Sequence, residues 1–276
     1  MSNRADFHTP ERHTETSDDS RAARADAGPL LLCVDTATEE RSAAVFRGRT
    51  QLALRANDLR AGGASGVLRD VDEVLRAAGV SLREIELFAA CTGPGSFTGL
   101  RSGLATVKAL SRTLRRPAVG VPTLHAVAHG ARPSRRLYAL LPAGRGEVFA
   151  QLLSVGEEGE VSELEEPLHL PPARLLERAK ASGGGLKWAG SGALKYLGLI
   201  EEAAKQAGFS FVKDVEERAE PRADEWTFAH TPSVLAPSVA ALALSSFRGG
   251  AHAGVEQLRA IYVRPSDAEL NEQCQE

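Results

Sequence analysis

A chain of 276 residues with 43% hydrophobic and 25% charged side chains has the balance of a soluble globular protein, with enough apolar material for one large domain or two modest ones. Its net charge of −3 excludes the strong overall positive field of a protein that grips a phosphate backbone unaided, and leaves room only for a small local basic patch. Three cysteines, Cys33, Cys91 and Cys274, show neither CxxC nor zinc spacing, and an odd number is a poor disulfide framework, which fits a reducing cytoplasm.

Residues 1–28 are polar or small, with charges of both signs, and are expected to form a disordered tail. They lack an apolar h-region and carry several acidic residues, so neither a secretory signal nor an organellar transit peptide is expected. No run approaches eighteen uninterrupted apolar residues, and no membrane span is expected.

Order begins at Leu30. Apolar runs at Leu30–Val34 and Ser42–Phe46 flank a polar turn, Asp35–Arg41, and an "RGR" turn leads to the alternating run Gln51–Ala56; the pattern predicts a three-stranded antiparallel meander. Val67, Leu68, Val71, Val74, Leu75 and Ala78 then recur at spacings of three and four, an amphipathic helix whose stripe is broad enough for two partners. "IELFAAC" predicts a buried strand, Phe97, Leu100, Leu104, Val107, Leu110 and Leu114 carry a helical period up to Pro117, and "AVGV" a further short strand. This is an α/β layout with a mixed sheet. From Arg136 the pattern restarts: "RLYALLPA" and "EVFAQLLSV" read as paired strands, followed by a helix (Pro172–Ala181), a strand (Leu186–Ala189) and a helix (Ala193–Ala207), hence a second lobe. No period of 20–50 residues signals a solenoid.

Between the buried strand and the second helix lies "CTGPGSFTGLRSG", Cys91–Gly103. A Walker loop requires a second glycine followed by lysine, but Thr98 stands where that glycine belongs and the first lysine is Lys108. A nucleophile elbow requires Gly-x-Ser-x-Gly, whereas Ser96 directly follows Gly95. What remains is a glycine-rich turn, Gly93, Pro94, Gly95, Ser96, Phe97, Thr98 and Gly99, that bends a strand sharply into a closely packed helix capped by Ser96 or Thr98, with an anion site at the helix start as a secondary role. Asp35 and Thr36 end the first strand; the default for Asp35 is to cap its turn, and the alternative is Mg²⁺ coordination beside a nucleotide. His125 and His129 form "HAVAH", but Ala126 stands where a metalloprotease needs its glutamate, so an exposed helical turn is expected in preference to a metal site.

"LLCVDTATEERSAAVF", "CTGPGSFTGLRSGLATVKAL" and "PAVGVPTLHAVA" together resemble the TsaB (YeaZ) family, whose signature is Asp-Thr-Ser/Ala-Thr on a strand and, some sixty residues on, Gly-Pro-Gly-Ser-Phe-Thr-Gly-Leu/Val-Arg; Gly93–Arg101 matches throughout. The resemblance covers about residues 30–130 and continues in patches at "GRGEVFAQL" (Gly144–Leu152) and "AIYVRP" (Ala260–Pro265), the latter like the family's closing strand. Two departures stand out: Pro142, Ala143 and Gly144 replace the usual Asp-Ala-Arg, and Gly63 replaces a histidine.

The resemblance implies a two-lobed actin-like, Hsp70-like fold with lobes at 29–131 and 132–265, a helix near 237–248 packing back between them, and a flexible tail at 266–276. It implies a cytoplasmic, non-catalytic subunit that pairs with TsaD and, with the ATPase TsaE, supports threonylcarbamoyl transfer to the adenosine beside the anticodon of tRNA. ATP and metal would belong to the partner subunits, no cofactor to this chain, and tRNA would be met only through the complex. The related catalytic subunit carries its metal histidines at positions matching Thr123 and Val127, so His125 and His129 are out of register. Pairing would use the helices Gly66–Ala78 and Thr98–Leu114 in a four-helix bundle, with TsaD or with a second copy when TsaD is absent. Val67, Leu68, Val71, Arg101, Leu104, Val107 and Lys108 would supply contacts, and Gly103, Ala105 and Ala109 would allow close approach. Two other classes remain open from the residues alone: a nucleotide-dependent enzyme of the actin/sugar-kinase type using Asp35, and a metalloprotease-like protein using "HAVAH".

Overall fold

Two mixed sheets, each with helices on both faces, organise the chain. The computed structural model describes residues 28–58, 66–131, 133–213, 220–250 and 258–263; the expected tails, Gly63 and Cys274 lie outside the described residues. The first sheet has the order β3-β2-β1-β4-β5, built from β1 (Leu30–Asp35), β2 (Glu40–Arg47), β3 (Thr50–Asp58), β4 (Leu87–Gly93) and β5 (Ala118–Pro122). The meander β1–β3 is antiparallel, and β4 and β5 add in parallel. The second sheet repeats the plan. β6 (Ser134–Gly144) and β7 (Glu147–Val155) form a hairpin, and β10 (Leu186–Ala189), β12 (Glu225–Ala229) and β11 (Ser210–Lys213) extend it in parallel. β8 (Val161–Glu163) and β9 (Leu168–Leu170) pair with β7.

The pleat of β1 explains the layering. Leu30, Leu32 and Val34 point to one face, where they meet Val67, Val71 and Val74 of α1 (Gly66–Ala78) and Leu104 and Val107 of α2 (Phe97–Leu114). Leu31 and Cys33 point to the other, toward α3 (Thr123–Gly130) and α7 (Ala236–Arg248). With both faces covered, the strand is a continuous apolar run with no alternation to water. α7 follows the second sheet in the chain but packs on the first, against β1 and against α3, which in turn lies on β6 and β7. The outer face of the second sheet is covered by α4 (Pro172–Ala181) and α6 (Leu197–Gln206), over a stack of Tyr138, Trp188, Trp226 and Phe209. This is a two-lobed actin-like architecture.

Four differences from the sequence reading have physical causes. β8, β9, β11 and β12 span three to five residues, too short for a period to register. The helix expected over Ala193–Ala207 is two, α5 (Ser191–Lys195) and α6, broken at Tyr196 where φ is −107° and ψ 20°. "AIYVRP" forms no strand within its described part, Ala260–Val263; Ile261 N–H donates to Thr92 O at 2.7 Å and the segment otherwise lies against the end of β4. Finally, α1 buries a carboxylate: Asp70, 3% exposed, accepts from Arg41 Nε on β2 at 2.5 Å, Asn57 Nδ2 at 2.7 Å and Arg55 Nε at 3.4 Å on β3. No helix among the described residues is long and apolar enough to cross a membrane.

Candidate functional site

The glycine loop is shaped by the β1–β2 turn beneath it. Ser96 N–H donates to Ala37 O at 2.8 Å, Thr36 Oγ1–H donates to Gly99 O at 2.7 Å, and Ser96 Oγ caps α2 by accepting from Gly99 N–H at 3.2 Å. A Cβ on Gly99 would stand 2.0 Å from Thr36 O, and one on Gly103 2.2 Å from Thr36 Oγ1. The loop thus packs against its own chain, and α2 starts at a fixed point over Thr36. Gly99→Ala is accordingly expected to destabilise the fold by about 2 kcal/mol in urea melts, because the clash with a backbone oxygen outweighs the roughly 1 kcal/mol that alanine gains in helix propensity.

Asp35 and Thr36 are buried. Asp35 Oδ1 accepts from Ala37 N–H at 2.8 Å and Oδ2 from Thr38 Oγ1–H at 2.7 Å, the turn-capping arrangement, and burial pushes the carboxyl above its usual range against those hydrogen bonds. Burial also raises its thiol neighbours, Cys33 to about 12 and Cys91 well above an ordinary thiol. Both thiols are packed in the core, and burial favours their protonated, weakly nucleophilic form.

His125 and His129 are not on an exposed turn. α3 is the central helix between the sheets, and both rings are half-buried, burial pushing their pKa below the ordinary histidine value and favouring the neutral imidazole. His125 Nε2 lies 2.9 Å from Glu163 Oε1, and His129 Nδ1 lies 3.2 Å from Ser238 Oγ on α7. Sequence reasoning missed these partners because Glu163 and Ser238 are distant in the chain. Among the described residues no group of three or more His, Cys, Asp and Glu is placed to hold a metal ion.

α1 and α2 lie side by side on the outer face of the first sheet. The structure turns four of the seven expected contact residues inward: Val67, Val71, Leu104 and Val107 belong to this chain's own core. Leu68, 61% exposed, stays on the surface with Arg101, and Lys108 is partly exposed. Ala105 and Ala109 are exposed, while Gly103 is buried against Thr36. The "PAG" departure forms the tip of the β6–β7 hairpin, where Gly144, Arg145 and Gly146 take φ of 78°, 47° and 82°.

Between the lobes a cleft of 530 Å³ is lined by Thr38, Glu39 and Glu40 from the first lobe, and by Ser191, Leu194, Phe228 and His230 among others from the second. Among the described residues its lining holds Glu39, Glu40 and His230 and neither lysine nor arginine.

The family model described as "TsaD: tRNA N6-adenosine threonylcarbamoyltransferase" matches residues 65–244. The tRNA threonylcarbamoyladenosine biosynthesis protein TsaB of Escherichia coli K12 is 32% identical over 170 residues, covering 59% of this chain and 71% of that protein. Its counterpart in Haemophilus influenzae is 32% identical over 127 residues, covering 43% of this chain and 51% of its own length. The solved structure of YeaZ from Pseudomonas aeruginosa superposes with a TM-score of 0.62 at 24% identity, covering 85% of this chain and 99% of that one, a likeness of fold.

Proposed function

The chain belongs to the TsaB family of tRNA threonylcarbamoyladenosine biosynthesis proteins, and from that premise we propose that it is a non-catalytic activating subunit that pairs with TsaD. A role in this tRNA modification follows from the family. The observation that carries the finer reading is the outer face of the first sheet. There two adjacent helices have spent their inward stripes on the sheet and still expose Leu68.

A helix pair of this kind is completed by a second pair crossing at about 20°, a four-helix bundle. Because a TsaD family model matches residues 65–244 of this chain, the proposed partner is built on a similar plan and offers the corresponding helices. The same surface serves a second copy of the chain when TsaD is absent. TsaE joins the assembly, ATP and metal belong to the partner subunits, and tRNA meets the chain within the complex, in keeping with its net charge of −3. The non-catalytic reading is supported by where the polar groups are used: Ser96 caps α2, Asp35 caps its turn, and the two histidines face Glu163 and Ser238.

Light scattering on a mixture of the full chain and TsaD tests the pairing. One to one heterodimers are expected; two species that elute separately at micromolar concentrations overturn the proposal. Millimolar Mg·ATP is expected to leave the melting temperature of the isolated chain unchanged, since among the described residues the cleft presents two glutamates and neither lysine nor arginine to a triphosphate. A ligand at a hundred times its Kd would add about 2.7 kcal/mol, so a rise of several degrees would move the nucleotide to this chain.

A further inference from the structure

α2 differs from α1 in its charges. α1 carries both signs, with Arg69 on Glu73, Arg76 on Asp72 and Asp70 on Arg41. From Phe97 to Arg116 there are five cations, Arg101, Lys108, Arg112, Arg115 and Arg116, and no acidic residue. At 3.6 residues per turn, Phe97, Arg101, Lys108 and Arg112 fall within an arc of roughly 60°. The three cations run for about 16 Å along the helix, with Arg115 continuing past its end.

The upper end of this stripe is aromatic. Arg101 stacks on the Phe97 ring at 3.8 Å, the Phe97 and Tyr262 rings are 5.4 Å apart, and Arg101 Nε donates to Tyr262 Oη at 3.4 Å. Phe97 is 37% and Tyr262 48% exposed. The flank that carries the stripe can be placed. Tyr262 follows Ile261, which bonds Thr92 at the end of β4, and Leu258 of the same segment packs over Gly120 of β5. Gly99 and Gly103 face Thr36 on the opposite flank, and α1 packs on β2 and β3. The stripe therefore lies beside the proposed helix bundle, on the side away from α1.

A single-sign row of cations ending in two exposed rings that touch at a 40° tilt fits a polyanion that also offers flat faces. The geometry points to RNA: the α2 flank holds the phosphate backbone of the tRNA substrate through Arg101, Lys108, Arg112 and Arg115, and Phe97 with Tyr262 stacks an unpaired base. An acidic protein surface would match the cations but has less use for the ring platform. The inference deepens the reading of the chain as a tRNA-modification subunit and rests on it.

The test is an anisotropy titration of a labelled tRNA transcript from 50 to 200 mM KCl, using the full chain in complex with TsaD and, separately, the full chain alone. Lys108→Ala/Arg112→Ala is expected to weaken low-salt binding about tenfold and to flatten the plot of log K against log[salt] by about 1.5, the share of two phosphate contacts. Phe97→Ala/Tyr262→Ala is expected to weaken binding roughly fivefold with the slope unchanged. Affinity and slope that neither double variant moves, in the complex and in the chain alone, overturn the inference. Loss of TsaD pairing with unaltered RNA affinity overturns it too, and assigns the stripe to an acidic protein face. Stripe-dependent RNA binding by a chain that does not pair with TsaD leaves the inference standing and removes the functional reading; pairing with stripe-independent RNA binding does the reverse.

Discussion

Leu68→Glu is expected to abolish pairing with TsaD and to lower threonylcarbamoylation by roughly a hundredfold or more, while the chain stays folded and its melting temperature falls only by the share that self-pairing supplies. The side chain is 61% exposed on the single chain, so a glutamate there leaves the core untouched. In a helix bundle the same carboxylate would be buried opposite apolar side chains, where an uncompensated charge costs about 3–5 kcal/mol. The control is Leu199→Glu on α6 of the second lobe, an equally plain exposed leucine at 52%, which is expected to leave both pairing and activity unchanged. Co-elution with TsaD and circular dichroism melts separate the two effects. A Leu68→Glu chain that pairs normally would remove α1 from the interface.

Asp70→Ala is expected to be the most destabilising of the substitutions considered, by about 3–5 kcal/mol in urea denaturation. Arg41 and Asp70 are each 3% exposed, so truncation takes the carboxylate from a guanidinium that stays buried. Asn57 loses an acceptor at the same time. The pair fastens α1 to β2, and because α1 is one of the two helices proposed to meet the partner, pairing is expected to weaken in step with stability. The double variant Arg41→Met/Asp70→Leu, which removes both charges and keeps most of the volume, is expected to recover much of the loss. Asp72→Ala, whose carboxylate meets Arg76 on the exposed side of the same helix, is expected to change the urea midpoint immeasurably.

The contrast between those two carboxylates shows what the sequence could and could not convey. The apolar stripe of α1 is legible, and its bounds at Gly66 and Ala78 coincide with the expected helix. Yet Asp70 sits within that stripe, three residues after Val67 and one before Val71, and Arg41 sits at the start of an apolar strand. Asp70 within a stripe expected to be buried was the available signal; Arg41 closed the polar turn Asp35–Arg41 in the sequence pattern, and recognising the ion pair needed the knowledge that α1 crosses β2. The strands Leu30–Asp35 and Leu186–Ala189 were legible because each is bounded by turn residues and mostly apolar, with Asp35 at the end of the first and Lys187 inside the second. β11 and β12 were not, since four and five residues carry too little periodicity.

The contact residues divide in the same way. Periodicity identifies which side chains lie on a stripe but not which of two partners each one meets, and packing assigns Val67, Val71, Leu104 and Val107 to the intramolecular side. For the glycine loop the sequence excluded a Walker loop and an elbow by spacing. The specific reason for Gly99 and Gly103, a backbone and a hydroxyl oxygen of Thr36 directly opposite, depends on a contact between residues more than sixty apart. "HAVAH" shows the converse: a local pattern read as a surface turn because nothing nearby in the chain reveals that α3 lies between two sheets.

Threonylcarbamoyl transfer to tRNA, reconstituted from TsaD, TsaE, the adenylate-forming enzyme, threonine, bicarbonate and ATP with and without the full chain, tests the central claim most directly. Modified adenosine that forms only when the chain is present, and is lost with Leu68→Glu but not Leu199→Glu, is the predicted result. Equal product with the chain omitted would contradict it, and would leave the actin-like architecture as a shared fold without the shared role.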